Sequence, residues 1–191
     1  DIVAKEVEDG TLRMILSRPV SRLRVMALKW MAGALYTFLL SLYVGATSLL
    51  VATVHFGRLG RLFVFVPEWN LFEVYGTGEG LWRYAAATLT MGLAVQVVTS
   101  LAFCLSCQRM KPAAATILSL SILFADMVLR NIPYFSAYQE WFITYHTSIG
   151  LRWFQQPIPW WSVGMSSVYL FALNATLFAI GAATFCTRDF K

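Results

Sequence analysis

Four apolar stretches dominate the chain, at about residues 28–54, 84–107, 113–132 and 161–186. Each is long enough, as a helix of roughly 20 residues, to cross the hydrocarbon core of a bilayer. The third is bounded by Pro112 and Pro133, and the one formal charge away from the ends of the four is Asp126, with Lys29 and Arg130 at boundaries. Runs this continuous are not the ten-residue alternating segments of a membrane barrel, so the sequence predicts helices. Composition agrees: 58% of the 191 residues are hydrophobic and 13% charged. Soluble domains carry about 25% charged residues. The excess apolar surface has to face lipid.

The predicted fold is therefore an all-α polytopic membrane bundle of four transmembrane helices. It has an N-terminal segment at residues 1–27 and a transmembrane domain at 28–191. Lys and Arg set its orientation. Ten of the fifteen fall on one side: Lys5, Arg13, Arg18, Arg22, Arg24, Lys29, Arg109, Lys111, Arg188 and Lys191. Arg58, Arg61, Arg83, Arg130 and Arg152 fall on the other. The positive-inside rule places both termini of the chain in the cytoplasm, and four spans give the matching parity. The net charge of +5 follows this topology, with no aromatic-basic groove of the kind that binds nucleic acid.

The outer connections, 55–83 and 133–160, are rich in Phe, Tyr and Trp, the residues of the headgroup layer. Residues 134–154 are too polar to span and read as re-entrant or interfacial helices. The Gly76-Thr77-Gly78-Glu79-Gly80 run reads as a flexible turn; without a preceding strand or a following Lys-Ser/Thr it is no phosphate loop. Small residues such as Gly33, Gly45, Gly92 and Gly181 read as seams that let helices approach. Cys104, Cys107 and Cys186 fall at cytoplasmic helix ends; the lone C-x-x-C has no further zinc ligands nearby, and small-residue packing is the favoured reading. No metal site is expected.

Polar residues inside the spans are the candidate pathway. Gln96 reads as an interhelical hydrogen-bond partner or, alternatively, a substrate contact. Asp126 and Arg130, four residues apart, share a helix face. They read as a local ion pair or as a polar patch at an outer gate. His55 and His146 have no ligand-spaced neighbours, and Gly164-Met165-Ser166-Ser167 is a weak match to a serine hydrolase signature.

The stretch before the first span carries the most information. Leu12, Ile15 and Leu16 share a helical face, Gly10 permits a change of direction, Thr11 can cap the next turn, and Pro19 ends it. This amphipathic element could anchor on anionic headgroups. Its acidic residues Glu6, Glu8 and Asp9 favour a docking surface for a protein instead.

The pattern E-x-E-x-G-T-L-x-x-x-L-S-R-P-V-S-R, with Lys29 seven residues beyond Arg22, resembles the ABC-2 type permeases of ATP-binding-cassette transporters. It comprises Glu6, Glu8, Gly10, Thr11, Leu12, Leu16, Ser17, Arg18, Pro19, Val20, Ser21 and Arg22. Phe185-Cys-Thr-Arg188-Asp189 is similar to the family's closing motif, whereas Leu28 departs from the Gly that often precedes the Lys. The resemblance implies that members have six spans, with this chain lacking the first two. It implies an ATPase-docking, or coupling, segment at Glu6, Glu8, Gly10, Thr11, Leu12, Arg13, Leu16, Arg18, Pro19 and Arg22, and a cap of the outer pathway near residues 134–160.

A permease subunit of an ATP-driven exporter in the cytoplasmic (inner) membrane is thus the expected function. It would itself be no enzyme and would bind no cofactor. ATP and Mg would sit on a cytoplasmic ATP-binding-cassette partner, and a second permease subunit, identical or related, would complete the assembly within membrane lipid. The alternatives are a non-transporting membrane assembly or anchor subunit, and an intramembrane enzyme, which would need a polar catalytic pair inside the bundle.

Overall fold

The computed structural model describes residues 21–57, 60–108 and 110–187. Four long helices form the bundle: α1 (Arg22–Phe56), α2 (Thr77–Cys107), α3 (Pro112–Arg130) and α6 (Trp160–Cys186). All four are long and apolar enough to cross a membrane. Ser21 precedes α1, and the backbone N–H groups of Arg24 and Val25 donate to its carbonyl. Gly57, at φ 74°, ends the helix in the left-handed conformation that a glycine accepts without cost.

The centre of the bundle is α2, against which α1, α3 and α6 all pack. Its apolar stretch is the most buried of the four, whereas α1 and α3 keep most of their apolar surface exposed. Gly33, Gly45, Gly92 and Gly181 are all buried. At Gly181 a Cβ would lie 3.3 Å from the Cys104 Cα, so the missing side chain sets how near α6 comes to α2. Cys104 and Cys107 are buried in this contact, and Cys186 is exposed.

Arg22 Nη1 donates to the Cys186 carbonyl at 3.4 Å, so the start of α1 and the end of α6 meet at one end of the bundle. Just inside this terminal end, Met26, Phe103, Cys107 and Phe185 form a sealed apolar cluster joining α1, α2 and α6.

The opposite end carries an element the sequence analysis did not foresee. Strands β1 (Leu62–Val66) and β2 (Leu71–Tyr75) pair as an antiparallel hairpin around a short 3-10 turn, with Phe65 opposite Phe72. Leu62-Phe63-Val64-Phe65-Val66 is a short run of β-formers whose burial alternates along the strand, and Asn70 at φ 48° makes the turn possible. A second correction concerns Gly76–Gly80. Rather than a flexible turn, Thr77 to Gly80 form the first turn of α2, with Glu79 in it. A carboxylate is favoured at a helix N-terminus. Gly80 serves close packing, since a Cβ there would lie 2.7 Å from the Leu62 Cβ.

Between α3 and α6 the chain forms a 3-10 segment (Pro133–Trp141) and two short helices, α4 (Ile143–Thr147) and α5 (Ile149–Arg152). Ile149 is wholly buried with Val97 of α2 and Val163 and Leu170 of α6, so this segment dips into the bundle.

Candidate functional site: a polar thread and a braced cap

At the middle of the bundle a chain of hydrogen bonds crosses three helices. Trp30 Nε1 of α1 donates to Ser100 Oγ of α2 at 3.2 Å, and Ser100 Oγ donates to Asn174 Oδ1 of α6 at 2.6 Å. The Asn174 amide donates to the Leu170 carbonyl at 2.9 Å and reaches the Leu93 carbonyl at 3.4 Å. Thr37 and Thr99 hydroxyls meet at 2.9 Å between α1 and α2. Away from water such groups need partners, which is why they occur in register across the contacts.

Gln96 lies one turn before Ser100 on α2 and is 2% exposed. The expected interhelical hydrogen bond is not made: neither amide atom has a partner among the described residues. An unpaired buried polar group costs about 1–3 kcal/mol. In a membrane bundle it marks a candidate contact for water or a passing ligand.

The cap at the end opposite the termini is held by charges. Asp126 of α3 accepts from the backbone N–H groups of Ile143 (3.2 Å) and Thr144 (2.8 Å) and from Thr144 Oγ1 (2.7 Å). Arg130 Nη1 donates to the Thr144 carbonyl at 2.7 Å. The local Asp126–Arg130 ion pair is absent from the described ion pairs, because α4 offers both charges backbone partners. Asp126 and Arg130 thus meet on α4, in the segment that dips into the bundle.

Three further residues take a bracing role that the sequence reading did not give them. Arg83, near the start of α2, is 6% exposed. It pairs with Glu79 Oε1 (2.7 Å) and donates to the carbonyls of Trp153 (2.8 Å) and Gln155 (3.1 Å), tying the cap to α2. The i, i+4 spacing of Glu79 and Arg83 was the available signal. Arg152, also buried, donates to Ser162 Oγ and to Ser166 Oγ (2.6 Å). His146 has Nδ1 at 2.9 Å from Ser166 Oγ and Nε2 at 2.9 Å from the Glu140 carbonyl, and stacks on Tyr169 at 4.0 Å. Burial, and next the backbone bond to Glu140 opposing it, set the His146 balance; with the charge of Arg152 added, the imidazole pKa falls below its usual value.

This Ser–His contact is the polar pair an intramembrane enzyme would need. Its surroundings argue for a brace instead. A carbonyl acceptor at Nε2 fixes the proton there, so Nδ1 accepts from Ser166, while Ser166 Oγ accepts from Arg152. Every group is satisfied, and Ser166 is 1% exposed. No group of three or more His, Cys, Asp or Glu among the described residues could hold a metal.

Residues 1–140 match the family described as ABC-2 family transporter protein. The chain belongs to this ABC-2 transporter family. No curated protein and no solved structure matches it. It is an ABC transporter permease and a multi-pass membrane protein, and its family is a transport component associated with an ATP-binding subunit. Of the expected coupling residues, Glu6, Glu8, Gly10, Thr11, Leu12, Arg13, Leu16, Arg18 and Pro19 lie outside the described residues, and Arg22 opens α1 at the terminal end.

Proposed function

We propose that this permease exports its substrate across the cytoplasmic membrane, driven by a separate ATPase that docks on residues 6 to 22. One observation carries this reading. The entry of α1, the close of α2 and the exit of α6 are joined by the sealed Met26–Phe103–Cys107–Phe185 cluster. A displacement applied just before Arg22 would reach all three helices through packed side chains, since a close-packed interior transmits strain. At the far end, the cap held by Asp126, Arg130, Arg83 and Arg152 is the element such a movement would release. Gln96 lies between the two ends, at the level where a substrate would pass. A second permease subunit, identical or related, would complete the assembly.

Both termini are cytoplasmic in this reading, which the Lys and Arg distribution supports. The test is co-purification from native membranes in mild detergent. An ATP-binding subunit is expected with the protein and is expected to be lost on Glu6→Lys plus Glu8→Lys. Retention of an otherwise intact membrane complex without any ATPase would reject the reading.

A further inference from the structure

A cleft of about 550 Å³ lies where α1 and α3 pack side by side on α2. Its walls are mostly apolar and include Gly33, Ala102, Phe103 and Leu120. It lies toward the terminal end, where Lys29 of α1, Ser106 of α2 and Thr116 of α3 contribute to the lining. No Asp or Glu lines it among the described residues.

Ser106 is the second observation. It is 1% exposed and lines the cleft, yet its Oγ has no hydrogen-bond partner among the described residues. The other hydroxyls nearby are committed: Thr99 to Thr37, Thr116 to the Ala113 carbonyl, and Ser119 to the Thr116 carbonyl. A buried hydroxyl without a partner, in an apolar cleft with a cation in its wall, is a recognition site short of one polar atom.

We infer that this cleft binds an anionic lipid of the adjacent leaflet, with an acyl chain along the α1–α3 walls and the headgroup end toward Lys29 and Ser106. The walls exclude a free anion as sole occupant, because an unaccompanied charge would be desolvated there without enough partners. A zwitterionic lipid would fill the same volume but gain less from Lys29. A single basic residue near a membrane surface contributes about fivefold in favour of an anionic headgroup. The site concerns lipid binding and stands whether or not export is the protein's activity.

The test uses the full-length protein in detergent with equal amounts of phosphatidylglycerol and phosphatidylcholine, read by native mass spectrometry. Phosphatidylglycerol is expected in excess by about fivefold. Lys29→Gln should erase the preference while leaving chain binding, Lys29→Arg should keep it, and Ala102→Trp should lower retention of both lipids. Glycerol phosphate in excess should not compete. Equal retention of the two lipids by the wild type, or an unaltered preference in Lys29→Gln, overturns the site. So does a disulfide formed across two copies by Ala102→Cys with lipid excluded, which would give the cleft to a second subunit. A folding control by size-exclusion profile separates loss of binding from loss of structure.

Discussion

Asp126 and Arg130 hold the two polar groups of one residue: the carboxylate accepts the N–H of Thr144, and the guanidinium donates to its carbonyl. One turn of α3 thus fixes the start of α4 without using the attraction between its own two charges. Replacing Asp126 by Ala leaves two backbone N–H groups and a hydroxyl without their acceptor. A loss of about 1–3 kcal/mol is expected, with faster amide exchange across residues 142–147. Asp126→Asn, which keeps one oxygen as acceptor, should lose less. Equal exchange in wild type and Asp126→Ala would show that the clamp contributes nothing.

Arg83 and Glu79 form an ion pair with unequal members. Arg83 is buried and also serves two carbonyls, while the Glu79 side chain is 46% exposed. Glu79→Gln should cost less than about 1 kcal/mol, as for solvent-exposed pairs. Arg83→Met strips the Trp153 and Gln155 carbonyls of a donor and should cost about 1–3 kcal/mol. Thermal unfolding in detergent measures both, and comparable losses would contradict the asymmetry.

The folded-state pKa of His146 is depressed below about 6.5, its unfolded value. Its stabilising contribution is therefore present above that value and is lost as pH falls through the folded pKa. Protonation would turn Nδ1 from acceptor to donor and place a second cation beside Arg152; Glu140, Tyr145 and Tyr169 are its other polar neighbours. Acidifying from above about 6.5, the unfolded value, down through the folded pKa should loosen the 133–152 segment, seen as increased proteolysis there. His146→Gln should flatten that pH dependence.

Phe185 is wholly buried in the cluster that joins α1, α2 and α6. Phe185→Ala should destabilise the bundle by about 3–5 kcal/mol. Phe185→Leu should fold and still lower transport per ATP hydrolysed in reconstituted vesicles, since the packed link is loosened. Undiminished coupling in that variant would remove the cluster from the proposed route.

Gln96→Leu removes two unpaired polar atoms from the interior. Such a replacement is neutral or stabilising when the group only packs. The expected outcome is an unchanged or higher unfolding temperature together with reduced transport. Full transport in the stable variant would take Gln96 off the pathway.

The four spans were legible because a run of about 20 apolar residues has few fates other than crossing a bilayer. The dipping segment at 134–154 was legible for the complementary reason: its polar residues forbid a span and its aromatics favour an interface. The hairpin was not foreseen because the aromatic richness of residues 55–83 read as headgroup affinity, and the uniformly apolar Leu62–Val66 shows no polar alternation to mark a strand. The bracing roles of His146 and Arg152, and the carbonyl contacts of Arg83, were missed because those partners are backbone carbonyls and hydroxyls 6 to 72 residues away. A carbonyl acceptor carries no residue identity, so nothing in composition or spacing announces it.

The long helices are unequal. With 35 residues, α1 extends about 50 Å, whereas the 19 residues of α3 extend about 28 Å. A hydrocarbon layer about 30 Å thick fits α3 upright and leaves α1 to lean or to project into the headgroups. A thicker membrane would strain the short helix while relieving the long one. Membrane thickness thus becomes a mechanical load on the angle between α1 and α3, and the same protein should work differently in thin and thick bilayers.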